Sequence, residues 1–264
     1  MTLSLIRVEP DVVQLHVSGW RGRAAGYDVS AYLLGGILVD TGFPGVRTEM
    51  MRAVHALAPR GVVVTHWHED HAGNAPALAA AGVPLLMHPV CEATLRERPR
   101  IRIYRHIVWG QTRRLDVPLN SFDPAPLQVI GTPGHSEDHV VVWDAERRIV
   151  ASGDLFLGVK VRVAHSHESP AMLVRSLRAV AALEPRLLLD AHRGPVANPA
   201  AVLRAKIAWL EDTIGEIRTL AVRGLAEREI QRRVLGAETM TGWVSGGEYS
   251  KASLVHAVLH ERSP

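Results

Sequence analysis

Hydrophobic and polar positions along the chain follow two periods in turn. Up to residue 40 the apolar residues fall in short runs, Leu3–Val8, Val12–Val17, Val29–Leu34 and Gly36–Val39, separated by turn residues. That pattern predicts strands, and the Gly35-Gly36 pair suits a tight hairpin. From Gly45 to Ala58 the residues Val46, Met50, Val54 and Leu57 recur at helical spacing, until Pro59-Arg60-Gly61 ends the helix. A strand Gly61–Val64, a helix Asn74–Ala81 and a strand Val83–Met87 follow, an order that implies a sheet with helices on its faces. The second half repeats the arrangement as a structural, not a sequence, repeat. Leu127–Ile130 reads as a strand, and His139–Trp143 with Ile149–Ala151 as a hairpin turning at Asp144–Arg147. Met172, Leu173, Leu177, Val180 and Leu183 mark a helix before Pro185, and Arg186–Asp190 is the last strand.

After Asn198-Pro199 the period becomes helical only. Leu203, Ile207, Leu210, Ile214 and Ile217 alternate in steps of four and three, giving a long amphipathic helix that stops near Gly224. Ala226–Leu235 and Tyr249–His260 predict two more. The expected organisation is therefore an α/β domain over residues 1–197 and a C-terminal helical extension over 198–264, serving as a cap on the sheets or as a module near the site. Residues 91–126 interrupt the alternation. Arg96, Arg98, Arg100, Arg102, Arg105, Arg113 and Arg114 lie there, opposed by Glu97, with Tyr104, His106 and Trp109 among them. This segment reads either as a solvated surface insertion or as a lid whose guanidinium groups meet an anionic substrate.

Composition narrows the class. The 264 residues are 47% hydrophobic and 22% charged, ordinary for a globular protein. A net charge of +3 is too weak to imply nucleic acid by itself. The one cysteine, Cys91, excludes an internal disulfide and suits a reducing compartment. Met1–Arg7 lacks a basic start followed by an apolar stretch, so no signal peptide is expected. No apolar run approaches the ~18 residues of a membrane span, and the expected location is the cytoplasm. The 14 histidines exceed what bulk composition needs and direct attention to metal binding.

They concentrate at predicted strand tips. The strand Gly61–Val64 ends in Thr65-His66-Trp67-His68-Glu69-Asp70-His71, three imidazoles and two carboxylates in six residues. Ligands in α/β layers bind at that edge of the sheet, and zinc and similar divalent ions take imidazole and carboxylate donors. His135 follows Gly131-Thr132-Pro133-Gly134, Asp154 follows Ser152-Gly153, and His192 lies in Ala191-His192-Arg193-Gly194-Pro195. His66, His68, Asp70, His71, His135, Asp154 and His192 are more than one ion needs and suit two. His66 and His68 can face one ion while Asp70 and His71 face another. Asp154 can bridge them, and His135 and His192 complete the sets. Two such ions can share a hydroxide formed at neutral pH. No Gly-x-Ser-x-Gly motif is present, and Cys91 has no evident base beside it. Asp40, closing the strand Gly36–Val39, is a candidate to hydrogen-bond a ligating histidine. His88 reads as structural or as pocket wall, and His165 and His167, in the loop after Asp154, as surface residues or as pocket lining.

These residues resemble the metallo-β-lactamase fold superfamily: Thr65-His66-x-His68-x-Asp70-His71 matches its first metal motif. Pro133-Gly134-His135, Gly153-Asp154 and Ala191-His192 match the later three in order. The resemblance covers roughly residues 10–195 and implies an αβ/βα metallo-β-lactamase sandwich with a binuclear site at one edge. It assigns His66, His68 and His135 to the first ion, Asp70, His71 and His192 to the second, and Asp154 to both. Asp70 would also steer the attacking water, and His139 is structural. The ions implied are zinc, with iron or manganese as alternatives. The expected function is a metal-dependent hydrolase of an ester, thioester or related acyl substrate, a small molecule of anionic character. Gly-Thr-Pro-Gly-His-Ser with His139 is similar to glyoxalase II-like members and points to a thioester. The helical tail is more similar to the β-lactamase-like endoribonuclease branch, which makes an endoribonuclease or phosphodiesterase acting on RNA the alternative. A mononuclear iron dioxygenase using His66, His135 and Asp154 is a third reading. No membrane partner is expected.

Overall fold

The computed structural model describes residues 2–19, 28–98 and 100–261. Chain contacts divide it into two compact units. The first holds residues 1–131, 138–154 and 186–197; the second holds 132–137, 155–185 and 198–264.

In the first unit, strands β1 (Thr2–Glu9), β2 (Val12–Ser18), β3 (Val29–Leu34) and β4 (Ile37–Val39) form an antiparallel meander. β5 (Gly61–Val63) and β6 (Leu85–Leu86) then extend it in parallel, giving a six-stranded sheet in chain order. Parallel neighbours need a crossover, supplied by α1 (Arg47–Leu57) and α2 (Ala75–Ala80). The second sheet has five strands in the order β12-β11-β9-β8-β7. They are β7 (Gln128–Gly131), β8 (Val140–Asp144), β9 (Ile149–Ala151), β11 (Leu187–Asp190) and β12 (Gly194–Val196).

Both faces of the first sheet are covered, which is why β4 and β5 read as unbroken apolar runs. One face meets the second sheet: Leu34, Ile37, Val39 and Val63 share a core with Val140, Val142, Ile149 and Leu189. On the other, Leu15, Leu38 and Val62 pack with Met50 and Val54 of α1, Leu78 of α2, and Cys91, Leu95 and Leu115. The last three come from the arginine-rich segment, so that segment is not simply a surface insertion. It opens with α3 (Pro89–Glu97), capped by the His88 side chain, whose Nδ1 accepts from the Val90 amide. A short α4 (Ile103–Val108) follows, with Arg105 buried and Ile103 and Ile107 exposed.

The second unit is mostly helical. α5 (Pro170–Ala182) starts at Ser169, whose side chain accepts from the Met172 amide. α6 (Pro199–Val222), α7 (Glu227–Val234), α8 (Met240–Val244) and α9 (Lys251–His260) follow. Ala164, Ile217, Ile230, Leu254, Val255 and Val258 form its core. The buried stripe of α6 runs Leu203, Lys206, Leu210, Thr213, Ile217 and Leu220, so it takes in a lysine and a threonine that an apolar count passes over. Both are satisfied: Lys206 donates from Nζ to the Phe156 carbonyl, and Thr213 from Oγ1 to the Trp209 carbonyl at 2.7 Å. A two-stranded ribbon of β10 (Ala164–His165) and β13 (Tyr249–Ser250) completes the unit. Among the described residues no helix is long and apolar enough to cross a membrane.

Candidate metal centre

The first unit builds its site from the tips of β4, β5, β9 and β11. Past β5 the chain leaves the sheet at Val64 and turns tightly: the amides of His71 and Ala72 donate to the His68 carbonyl at 3.0 and 2.8 Å. Gly73 ends the turn. A Cβ there would lie 2.3 Å from the Glu69 carbonyl oxygen and 2.5 Å from that of Gly42, so only glycine fits without a backbone shift. The Val140 amide donates to the Thr65 carbonyl at 2.9 Å and ties the turn to the second sheet.

Asp40 organises this corner. Its backbone is left-handed, with φ 66°, and its carboxylate is buried. Oδ1 accepts from the Thr65 amide at 2.8 Å, and Oδ2 from the Thr65 hydroxyl at 2.9 Å. Oδ2 also lies 2.8 Å from His71 Nδ1. A carboxylate oxygen only accepts, so His71 carries its proton on Nδ1 and turns Nε2 toward Asp154 Oδ1, at 3.2 Å, and Asp70 Oδ2, at 3.7 Å. His192 is fixed in the same manner. Its Nδ1 faces the Asp28 carbonyl at 2.8 Å, and its amide donates to Asp190 Oδ1 at 2.9 Å. Nε2 then points at Asp70 Oδ2, 3.3 Å away, and Asp154 Oδ1, 3.4 Å away. One Asp154 oxygen thus lies within reach of two imidazoles.

His66 Nε2 and His68 Nδ1 face each other at 3.0 Å. With Asp154 they offer donor atoms within 4.8 Å of one another, and Asp70, His71 and His192 do the same. His66, His68, Asp70, His71 and Asp154 are buried, and His192 is partly exposed. Burial would raise the Asp154 carboxyl, but the His71 and His192 imidazoles outweigh it and hold the group well below the usual carboxylate range. Burial likewise opposes the charged imidazoles, yet Asp154 and Asp70 hold His71 and His192 well above the usual histidine range. Imidazole nitrogens and carboxylate oxygens, buried and converging, are the donors that borderline divalent ions select, and an ion here would take the place of the protons that Asp70 and Asp154 hold on His71 and His192. The residues fit a metal.

Two further residues shape the centre. Gly153, at φ 48°, leaves no room for a Cβ, which would fall 2.8 Å from His139 Nε2. His139 Nε2 accepts from the Asp154 amide at 3.1 Å and so fixes the aspartate's position, a specific form of the structural role expected of it. Glu69, between two expected ligands, is buried and paired with an arginine. Arg105 of α4 donates to its Oε2 from Nε at 2.9 Å and lies 2.7 Å from it through Nη2. The same guanidinium lies 5.0 Å from the Trp67 ring. Burial pushes the Glu69 carboxyl up to about 7 although Arg105 pulls the other way. The sequence holds no local signal for this pairing, because Arg105 is one of seven arginines in a charge-rich stretch. Trp109, just beyond α4, stands 6.3 Å from the His192 ring.

His135 belongs to the second unit. It is buried, its Nδ1 lies 3.4 Å from Glu168 Oε1, and its loop is held by the Ser169 amide donating to the Gly134 carbonyl at 2.7 Å. His165 is half-buried, packs its ring against Tyr249 at 4.6 Å and stands 6.0 Å from the His135 ring. His167 stacks on His165 at 5.3 Å.

A family model for the metallo-beta-lactamase superfamily matches residues 25–192, well over half of the chain. The chain belongs to that superfamily. Members are typically metal-dependent hydrolases, and the mixed α/β architecture with C-terminal helices agrees with the fold expected from sequence. Among solved structures, a metallo-beta-lactamase family protein from Thermus thermophilus superposes with a TM-score of 0.70. It covers 96% of this chain and 93% of its own, at 18% identity, which speaks to the fold alone. A beta-lactamase-like protein 2 homolog from Caenorhabditis elegans is 31% identical over 138 residues, 49% of this chain. The match takes in 44% of that relative, so the chain spans less than half of its length. An atrochrysone carboxyl ACP thioesterase from Aspergillus fumigatus is 27% identical over 260 residues, 96% of this chain and 74% of the relative.

Proposed function

We propose that this superfamily member is a binuclear metal-dependent hydrolase acting on a thioester or related acyl substrate. The observation that carries the reading is the convergence of His66, His68, Asp70, His71, Asp154 and His192 at the strand tips of the two packed sheets, with the outer nitrogens of His71 and His192 tied down. His135, from the Pro133-Gly134-His135 motif, is the seventh ligand of the proposal. His66, His68 and His135 would hold one ion and Asp70, His71 and His192 the other, Asp154 serving both. When bound, the ions, zinc in this proposal, supply Lewis acidity and activate water at neutral pH.

The chain's own residues do the rest. The side chains at the centre are imidazoles, carboxylates and the Thr65 hydroxyl, which donates to Asp40, so water is the nucleophile. Asp70, set between His71 and His192, accepts a hydrogen bond from that water and aligns it on the acyl carbon. Asp40 keeps His71 in the tautomer that presents Nε2. His139 holds Asp154 through its amide.

The thioester is favoured because the match to the fungal thioesterase runs through the helical tail, where an endoribonuclease likeness was expected. Three arginines of the 91–126 segment are also engaged within the protein: Arg96 by Glu92, Arg105 by Glu69 and Arg114 by Asp116. The test is a panel of coenzyme A and short-chain thioesters, a lactone, a β-lactam and RNA, assayed with the wild-type chain, His68→Ala and Asp154→Asn. The expected result is thioester turnover with shallow salt dependence, lost together with bound metal in both variants. Normal turnover in either variant, or RNA cleavage without thioesterase activity, contradicts the proposal.

A further inference from the structure

The helical unit carries a second convergence of metal-binding donors, one that shares no residue with the strand-tip set. Glu227 opens α7, and His256 and His260 lie four residues apart on α9, on one face of that helix. Their rings stand 4.2 Å apart. His260 Nε2 lies 2.8 Å from Glu227 Oε1, and His256 Nδ1 lies 3.4 Å from Glu227 Oε2. Each carboxylate oxygen thus faces one imidazole. One nitrogen from each histidine and one Glu227 oxygen lie within 4.8 Å of each other. The two helices are seated on a common apolar core, Ile230 from α7 with Leu254, Val255 and Val258 from α9, which fixes the helical frame under the three side chains.

We propose that Glu227, His256 and His260 bind a divalent transition-metal ion, of the zinc, nickel or copper class, at a peripheral site that clips α7 to α9. At so exposed a site an imidazole–carboxylate pair adds little stability by itself. Imidazole nitrogen is, by contrast, a good ligand for these ions, and two histidines one helical turn apart each bring one nitrogen to the same carboxylate. Oxygen-selecting ions such as magnesium and calcium are excluded by the two nitrogen donors. Three protein ligands leave at least one position for water. The side chains are 45–62% exposed, so the ion enters freely and exchanges freely. It is therefore lost on dialysis and returns when metal is added. By linkage, an ion bound only to the folded tail also stabilises it.

The inference is independent of the hydrolase reading, because its test is a difference between variants at sites outside the strand-tip set. Zinc chloride is titrated calorimetrically into the full wild-type chain after dialysis, then into His256→Gln, His260→Gln and, as a control, His55→Gln, which changes an exposed histidine outside the set. The expected result is one additional ion per chain in the wild type and the control, with affinity lowered about tenfold or more in each of the other two. Nickel titration followed by the imidazole NMR signals should broaden those of His256 and His260. Equal isotherms in all four proteins, or no added ion in the wild type, overturns the site.

Discussion

Arg105 and Glu69 show how one pair can be decisive while its neighbours are not. Both side chains are almost wholly buried, at 4% and 2% exposure, and removing the guanidinium leaves Glu69, already pushed up to about 7 by burial, as a buried polar group without its partner. Breaking a buried ion pair in this manner costs about 3–5 kcal/mol. Arg105→Ala should lower the unfolding free energy by that amount in urea denaturation, whereas Arg114→Ala, whose pair with Asp116 is exposed, should change it by less than about 1 kcal/mol. Equal effects would mean that the Glu69 contact contributes no more than a surface ion pair. Cys91 gives a second prediction. Burial, reinforced by Asp138, pushes its thiol well above the usual range, so little thiolate exists at neutral pH. A disulfide-exchange reagent should find no reactive thiol in the folded chain and one after denaturation; rapid labelling of the native protein would contradict this. The candidate ligands were legible in the sequence because metal chemistry demands particular residue types at strand tips. Arg105 was not, since nothing in a run of arginines marks the one that turns inward.

The strands of both sheets except β12 could be read from the chain to within a residue or two, most clearly where burial on both faces leaves an unbroken apolar run, as in Gly61–Val63. β12 lies beyond Arg186–Asp190, which reads as the last strand, because Gly194-Pro195-Val196 carries no apolar run. Elements whose stability comes from distant contacts could not. β10 and β13 are two residues each and exist as partners of one another across 84 residues, from His165 to Tyr249. α3 and α4 lie in a stretch dominated by charge, and α4 buries an arginine while exposing two isoleucines, the reverse of the pattern that marks a helix. The turn from His66 to Gly73 was recognisable by its motif, but its tightness was not. With Cβ contacts of 2.3 and 2.5 Å to two carbonyl oxygens, Gly73→Ala must move the backbone that carries His68, Asp70 and His71. It should cost about 1–3 kcal/mol of stability and lower the retained metal, measured by thermal unfolding and elemental analysis together. Unchanged metal content with lowered stability would show that the turn adjusts without disturbing the ligands.

The molecule has two compact units. The first holds six of the seven expected ligands together with Asp40 and His139, which position them; His135 and the helical tail belong to the second. Composition and periodicity gave the α/β class, and the strand-tip residues gave the superfamily. The substrate is encoded in shapes and contacts that no motif states, and for that reason it rests on a proposal. The hydrolase reading requires the strand-tip set to hold two ions. The most direct test is elemental analysis of the full chain after dialysis against metal-free buffer, which removes loosely held ions. Two divalent ions per chain should be retained, with loss in Asp154→Asn, which is common to both ligand sets. Retention of a single ion, or of none in a preparation that still hydrolyses thioesters, would contradict the account.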